Sequence, residues 1–421
     1  ENRYSLLETI RAFGAEQLHA GGESEAIRSA HAGYFVGWTE EMAREFRGAG
    51  QVAAMGRVRA DHANELAALH GLLTAARRGD PRAREEALLL CGHLDWFWHV
   101  AGQHNTARGI LDEALGLARD AAPSRGRGLA YLAAGMVSIT TGEWERALGE
   151  WSAGHEEGLA LGDDGIAAEG AMGMGYVHLN CGRLEEAQPA IEEALSRSAL
   201  PSEEFMHSLS LELKGMLLFQ RGDLDAGMEV VEKGLEIQRR KQDCEGGGIG
   251  LSFLASMHFA RGGLERARAL YAESLETFER IGDRPEMARV LCETGWTELA
   301  AEDAAAARRT FLRAVRTYEE VGSARGTGLA LLGLAAVDAA EGRVQRAVTI
   351  AGAAQALAEK AGVVCDHPMD PGVVDRIEAL KKAIPRAEVD DLRARAESLS
   401  PAAVVAMVAE MESAGGGAAG V

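Results

Sequence analysis

The chain has 421 residues, 47% of them hydrophobic but only 5% aromatic, with 51 glycines, nine prolines and a formal charge of −20. That charge argues against direct nucleic-acid contact, which needs a clustered cationic surface. There is no signal peptide and no apolar run long enough to span a bilayer. The five cysteines, at 91, 181, 244, 292 and 365, are odd in number and far apart. They read as reduced, buried thiols in a cytoplasmic protein.

In chain order, residues 3–20 read as a helix that stops at Gly21-Gly22, Glu23–Phe46 as a second, and Gln51–Arg78 as a third that stops at Gly79-Asp80-Pro81. Beyond them a short pattern recurs. Thr141-Gly142-Glu143-Trp144-Glu145-Arg146-Ala147 returns at Cys181, Arg221, Arg261 and Glu341, each glycine a multiple of 40 residues from the last. The register extends back to Gly102 and Ala107 and passes through a weak copy at Ala301-Glu302-Asp303. A fixed period of this length means a solenoid.

The columns around the glycine give the physics. Gly135, Gly175, Gly215, Ala255, Gly295 and Ala335 are small, as is Ala147 with its equivalents. Two helices can therefore pack closely across a short turn. The second helix carries one apolar stripe through Leu111, Trp151, Ile191, Val231, Tyr271 and Phe311, continued one turn on by Leu115, Leu195, Leu235, Leu275 and Val315. The unit at 82–119 is irregular, as a capping unit should be. In the unit at 284–321 Glu302 replaces the turn glycine, so a slightly different turn is expected. After Gly362 the register stops. Residues 363–372 read as a loop, short helices follow near 373–383, 386–397 and 400–412, and residues 414–421 read as a flexible tail.

The small residue of the first helix, the turn glycine and the later alanine resemble the tetratricopeptide repeat, although that unit usually has 34 residues. The resemblance implies an all-α, right-handed superhelical solenoid of six or seven two-helix units. A second resemblance runs through the first hundred residues: Arg3-Tyr4 to Leu18, His31, Tyr34-Phe35, Asn64 with Ala67-Ala68-Leu69, Gly79-Asp80, and Trp96-Phe97-Trp98 before Gly102. This order is similar to the region after the nucleotide-binding module in actinobacterial signal-transduction ATPases with numerous domains (STAND), among them large LuxR-type and AfsR-like transcriptional regulators. Glu65-Leu66 departs from that pattern, where leucine then arginine is usual. Arg346–Leu357 and Ser398-Leu399-Ser400 resemble the C-terminal end of the same family.

The division expected is a helical connector over 1–81 that follows a nucleotide-binding module missing from this chain, a solenoid over 82–361, a C-terminal helical cap over 362–413, and the tail. The missing initial methionine fits a fragment. No lysine follows a glycine, so no P-loop is present, and no zinc-protease helix or serine elbow occurs. Cys91, His93, Asp95, His99 and His104 do not converge on one helix face, and Cys365-Asp366-His367 with Asp370 is a short loop cluster. The chain is thus read as not an enzyme, with no metal and no cofactor of its own, ATP being expected only in the upstream module.

By analogy with the repeat family, the inner curve is lined by Leu132, Met172, Glu212, Ser252, Cys292 and Leu332, and by Met136, Tyr176, Met216, Ser256, Trp296 and Ala336. Its methionines and aromatics suit a protein partner or a small apolar inducer, with Leu132, Met136, Met172, Tyr176, Met216 and a partly exposed Trp296 as the binding residues. These inner columns hold no lysine or arginine, against a carboxylate clamp. The regulator resemblance implies a sensing and protein-interaction arm, with a stand-alone scaffold or adaptor as the alternative. Self-association through the solenoid's end faces is a further expectation.

Overall fold

A computed structural model describes residues 8–200, 203–361, 373–382 and 384–407. They form an all-α solenoid. The connector comprises α1 (Glu8–Ala20), α2 (Ser24–Glu45) and α3 (Gln51–Arg77). Unit one is α4 (Pro81–His93), α5 (Asp95–Val100) and α6 (His104–Leu117), its first helix broken at Leu94. Unit two is α7 (Arg125–Thr141) with α8 (Trp144–Leu161), and unit three is α9 (Asp164–Asn180) with α10 (Leu184–Arg197). Units four and five are α11 (Glu204–Gln220) with α12 (Leu224–Lys241), and α13 (Cys244–Ala260) with α14 (Leu264–Ile281). Units six and seven are α15 (Arg284–Ala300) with α16 (Ala304–Glu320), and α17 (Ala324–Ala340) with α18 (Val344–Ala361). Then come α19 (Val373–Lys382) and α20 (Arg386–Glu397), with residues 401–407 helical as well. The expected loop at 363–372, with its Cys365–Asp370 cluster, and the tail lie outside the described residues.

The small column works as close helix packing requires. Gly135 lies against Trp151, Gly175 against Ile191, Gly215 against Val231 and Gly295 against Phe311, each pair joining the two helices of one unit. The stripe on the second helix also reaches forward to the next unit. Trp151 covers Gly173, and Phe311 covers Gly333. Where the stripe residue is smaller, the residue facing it is larger: Ile191 shares a core cluster with Leu213, and Val231 shares one with Phe253. Tyr271 instead hydrogen-bonds Glu293. Large and small side chains are thus matched across the other four boundaries, as dense packing demands.

The turn within a unit is left-handed at glycine, with φ of 87° at Gly142 and 90° at Gly222. Glu302 takes the same conformation, φ 61°. The different turn expected in that unit is therefore not found: packing of the flanking helices imposes αL on a residue that would otherwise avoid it. A second left-handed column lies between units, at Gly162, Gln242, Gly282 and Gly322. The residue after each one caps the next helix. Asp163, Asp243 and Asp283 accept from Ile166 N, Gly246 N and Glu286 N, and Ser323 accepts from Gly326 N.

The solenoid curls until distant units meet. Gly102 of unit one comes so near Val321 that a methyl group there would stand 3.3 Å from Val321 Cγ1. Arg325, opening unit seven, lies 5.4 Å over the Trp144 ring of unit two. The connector crosses the ends of the central units. No helix among the described residues is long and apolar enough to cross a membrane.

Candidate functional site

The inner surface is built by the first helices of the units, and its two ends are covered by the chain itself. At one end sits the elbow between α2 and α3. Arg47 pairs with Glu169 of α9 at 2.9 Å and lies 5.6 Å over the Phe205 ring of α11. Gln51, fully buried, is the firmest anchor. Its Oε1 accepts from Cys244 N (2.8 Å) and Glu245 N (3.1 Å), and its Nε2 donates to Asp243 Oδ1 (2.6 Å) and Phe46 O (2.8 Å). A connector amide thus caps a helix 193 residues away.

At the other end α19 closes over units five to seven. A cavity of about 670 Å³ remains there, lined by Phe259, Trp296, Leu299, Ala336, Ile377 and Leu380 among others. Trp296 is only 3% exposed and stacks edge-on against Phe311 at 5.4 Å. The expected partly exposed groove anchor is therefore corrected: Trp296 is a core residue under the C-terminal cap. Leu132, expected among the binding residues, is corrected in the same way to a buried side chain, and Glu212, Ser252, Cys292, Leu332 and Ala336 are buried too.

Between these covers the inner face is half-open. Met136, Met172, Tyr176 and Met216 are each partly exposed, as are Phe253 and Ser256. Tyr176 lies 6.3 Å from Trp144, which carries Arg325 on its ring. Burial, then the charge of Glu286 on α15, raises the Tyr176 hydroxyl above its ordinary pKa.

The wall opposite is charged, contrary to the arginine-free inner columns. Arg289 Nε donates to Glu286 Oε2 (2.8 Å), its Nη1 to Glu293 Oε1 (2.9 Å) and its Nη2 to Ser252 Oγ (2.9 Å), and its guanidinium lies 5.9 Å over Phe253. Both carboxylates bond that arginine, two acids to one guanidinium, so the wall presents a paired ion cluster of net negative formal charge rather than a basic clamp. The signal is present in sequence as Glu286, Arg289 and Glu293, spaced by about one helical turn on the face beside the Ser252–Cys292 column.

Several carboxyls inside are held toward their neutral form by burial. Burial, then the nearby Glu169 charge, pushes Asp95 up to about 8, and burial alone leads in raising Asp243 to about 6 and Glu212 well above its usual range. The histidines of the aromatic segment disperse. His93 faces Thr39 Oγ1 at 3.3 Å, and burial lowers it to about 4. His104, lowered to about 3 by burial, borders a cavity of about 520 Å³ between α3, α6 and the turn at Gly322. His99 of the same segment meets acidic partners from elsewhere in the chain.

Residues 248–320 and 168–199 match models of the tetratricopeptide repeat family. The chain carries tetratricopeptide repeats. A Rap protein crystallised with Competence and Sporulation Factor is similar in fold, with a TM-score of 0.57 at 11% identity over 86% of this chain and 99% of that one. A STAND protein with a tetratricopeptide repeat sensor, PH0952 from Pyrococcus horikoshii, has a TM-score of 0.48 at 13% identity, matching 79% of this chain and 51% of its own. BtubC from P. vanneervenii reaches a TM-score of 0.41 at 20% identity over 61% of this chain and 94% of its own. A search of curated proteins returned no match.

The repeat array is a scaffold of the kind used for protein interaction. In it the half-open middle of the inner face carries Met136, Met172, Tyr176 and Met216.

Proposed function

We propose that this chain is the ligand-sensing and protein-interaction arm of a cytoplasmic, ATP-dependent transcriptional regulator, with nucleotide chemistry and DNA contact assigned to segments outside it. The observation that carries the reading is the shared anchorage of groove and connector. The elbow at Arg47–Gln51 is bonded to the same units, three to five, whose first helices supply Met172, Tyr176, Met216 and Phe253. A partner that re-spaces those helices moves the turn at Asp243 against Gln51. The connector is thereby placed to pass the change toward a preceding module.

Two further features support it. Ile10, Phe13, Ile27 and Tyr34 on α1 and α2 are 49–62% exposed, an apolar surface suited to docking. The Rap protein, which has this fold, holds Competence and Sporulation Factor in its complex; here a peptide or partner helix with apolar anchors would lie on the methionine-lined middle of the curve.

Peptide selection by phage display on the whole chain tests the proposal. Peptides enriched on the native chain are expected to lose at least about tenfold in affinity, roughly 1.4 kcal/mol, against Met216→Asp or Met172→Asp. Both sites are partly exposed, so either variant should fold. Selected peptides that bind both variants as tightly as the native chain would remove the groove from the account.

A further inference from the structure

Where the first unit crosses the central ones, three side chains from distant parts of the sequence converge. His99 lies on α5, Glu245 in the first turn of α13, and Asp283 caps α15. One ligand-type atom from each lies within 4.8 Å of the others. His99 and Asp283 are buried, 8% and 0% exposed, and Glu245 is 9% exposed.

The bonds they make leave the centre of the cluster unfilled. Asp283 Oδ1 accepts from Glu286 N at 3.0 Å, while its buried Oδ2 accepts nothing. Glu245 Oε2 accepts from Trp96 Nε1. His99 Nδ1 stands 3.4 Å from Thr140 Oγ1, which orients the ring. Among the described residues no two of the three are hydrogen-bonded or ion-paired to each other, and no lysine or arginine pairs directly with either carboxylate, Arg289 and His99 acting on Asp283 only through their charge. Two buried acids thus face one imidazole without a cation in contact, an arrangement that is costly unless a charge is supplied.

We infer that His99, Glu245 and Asp283 bind a divalent transition-metal ion of the zinc class, which pins the first unit to the inter-unit turns of the solenoid. One imidazole nitrogen and two carboxylate oxygens are ordinary ligands for such an ion. Bonds of about 2.0–2.1 Å at tetrahedral angles would bring the ligand atoms to about 3.3 Å from one another, so the side chains close on the ion by about an ångström. A fourth position is left for water. Trp96 and Thr140 supply the outer hydrogen bonds that hold the ligands in place. The ion joins residues 146 and 184 positions apart in sequence, Glu245 and Asp283 counted from His99, so its removal loosens unit one from units five and six together. This inference does not rest on the regulator reading.

The test uses the whole chain carrying Cys244→Ser, which removes the thiol beside Glu245, dialysed against chelator and titrated with ZnCl₂ and CoCl₂. One equivalent of Zn²⁺ is expected to bind and raise the thermal midpoint, and Co²⁺ to give the visible absorption of a low-coordinate site. Asp283→Asn keeps the helix cap and Glu245→Gln keeps an acceptor for Trp96, so both should fold, as circular dichroism can verify. Each should weaken Zn²⁺ at least about tenfold, and His99→Ala more. If the parent chain binds no equivalent of either ion, or if Asp283→Asn and Glu245→Gln bind like the parent, the site is overturned.

Discussion

Replacing Gly173 by leucine is expected to destabilise the protein by about 3 kcal/mol, because even a methyl group there would stand 2.1 Å from Trp151 Cδ2 and 2.4 Å from Cε2. The ring is caught between Gly135 of its own unit and Gly173 of the next, so it cannot retreat. Trp151→Ile alone should cost about 2–3 kcal/mol through the cavity it leaves. The double variant reproduces the pairing found one unit later, Ile191 with Leu213. It should therefore recover much of the loss, with a coupling of about 2 kcal/mol or more measured by urea unfolding. Additive losses would show that unit boundaries are not matched by volume.

Gln51→Ala should cost about 2–4 kcal/mol, the largest effect expected of any polar residue in the chain. It strips acceptors from Cys244 N and Glu245 N and a donor from Asp243 in one substitution, and each buried group left unpaired costs about 1–3 kcal/mol. The loss should also depend on pH. Burial already holds the Asp243 carboxyl up at about 6, against the lowering effect of the Gln51 hydrogen bond. Without that bond its folded-state pKa rises further above the unfolded value. A carboxyl with a raised folded pKa binds its proton more tightly in the native state, so stability falls as pH rises through that pKa. The variant should accordingly lose more at pH 8 than at pH 5, as thermal unfolding at the two values would show. An equal loss at both would mean that Asp243 does not depend on Gln51.

The repeat architecture was legible because its signal is periodic. Gly142 and its equivalents, the small column at Gly135 and the stripe at Trp151 recur at a constant spacing, and each fixes a local contact that the structure contains. The boundaries of α2 and α3 followed from Gly21-Gly22 and Gly79-Asp80-Pro81 in the same way. The second turn column is marked less regularly: glycine stands at Gly162, Gly282 and Gly322, but Ser202 and Gln242 interrupt it. The facing pairs Trp151 with Gly173 and Phe311 with Gly333 needed two columns to be read jointly, across a unit boundary.

The site was less legible because it depends on how far the solenoid curls. Nothing local marks Trp296 as lying beneath α19, or Arg289 as facing Tyr176, since both depend on elements far away in sequence. Gln51, a single polar residue at the start of a connector helix, carries no sequence mark of its partner 193 positions on. Met136, Met172, Tyr176 and Met216 stayed on an accessible inner surface because they lie between the connector and the cap. Their role in binding is the proposal, and it depends on the connector and the groove forming one body.

The measurement that tests this most directly is cysteine cross-linking between elbow and groove, with Arg47→Cys and Glu169→Cys introduced together into the whole chain lacking Cys181, Cys244 and Cys365. The wild-type pair meets at 2.9 Å through two long side chains, which sets their backbones farther apart than a direct disulfide allows, so a bis-maleimide reagent with a short spacer should join the two cysteines rapidly, in a folded monomer and at a rate independent of protein concentration. A slow or absent cross-link, with each thiol capped separately by the reagent, would contradict the account: the connector would not lie on the inner face, and the coupling between groove and connector would have no structural basis.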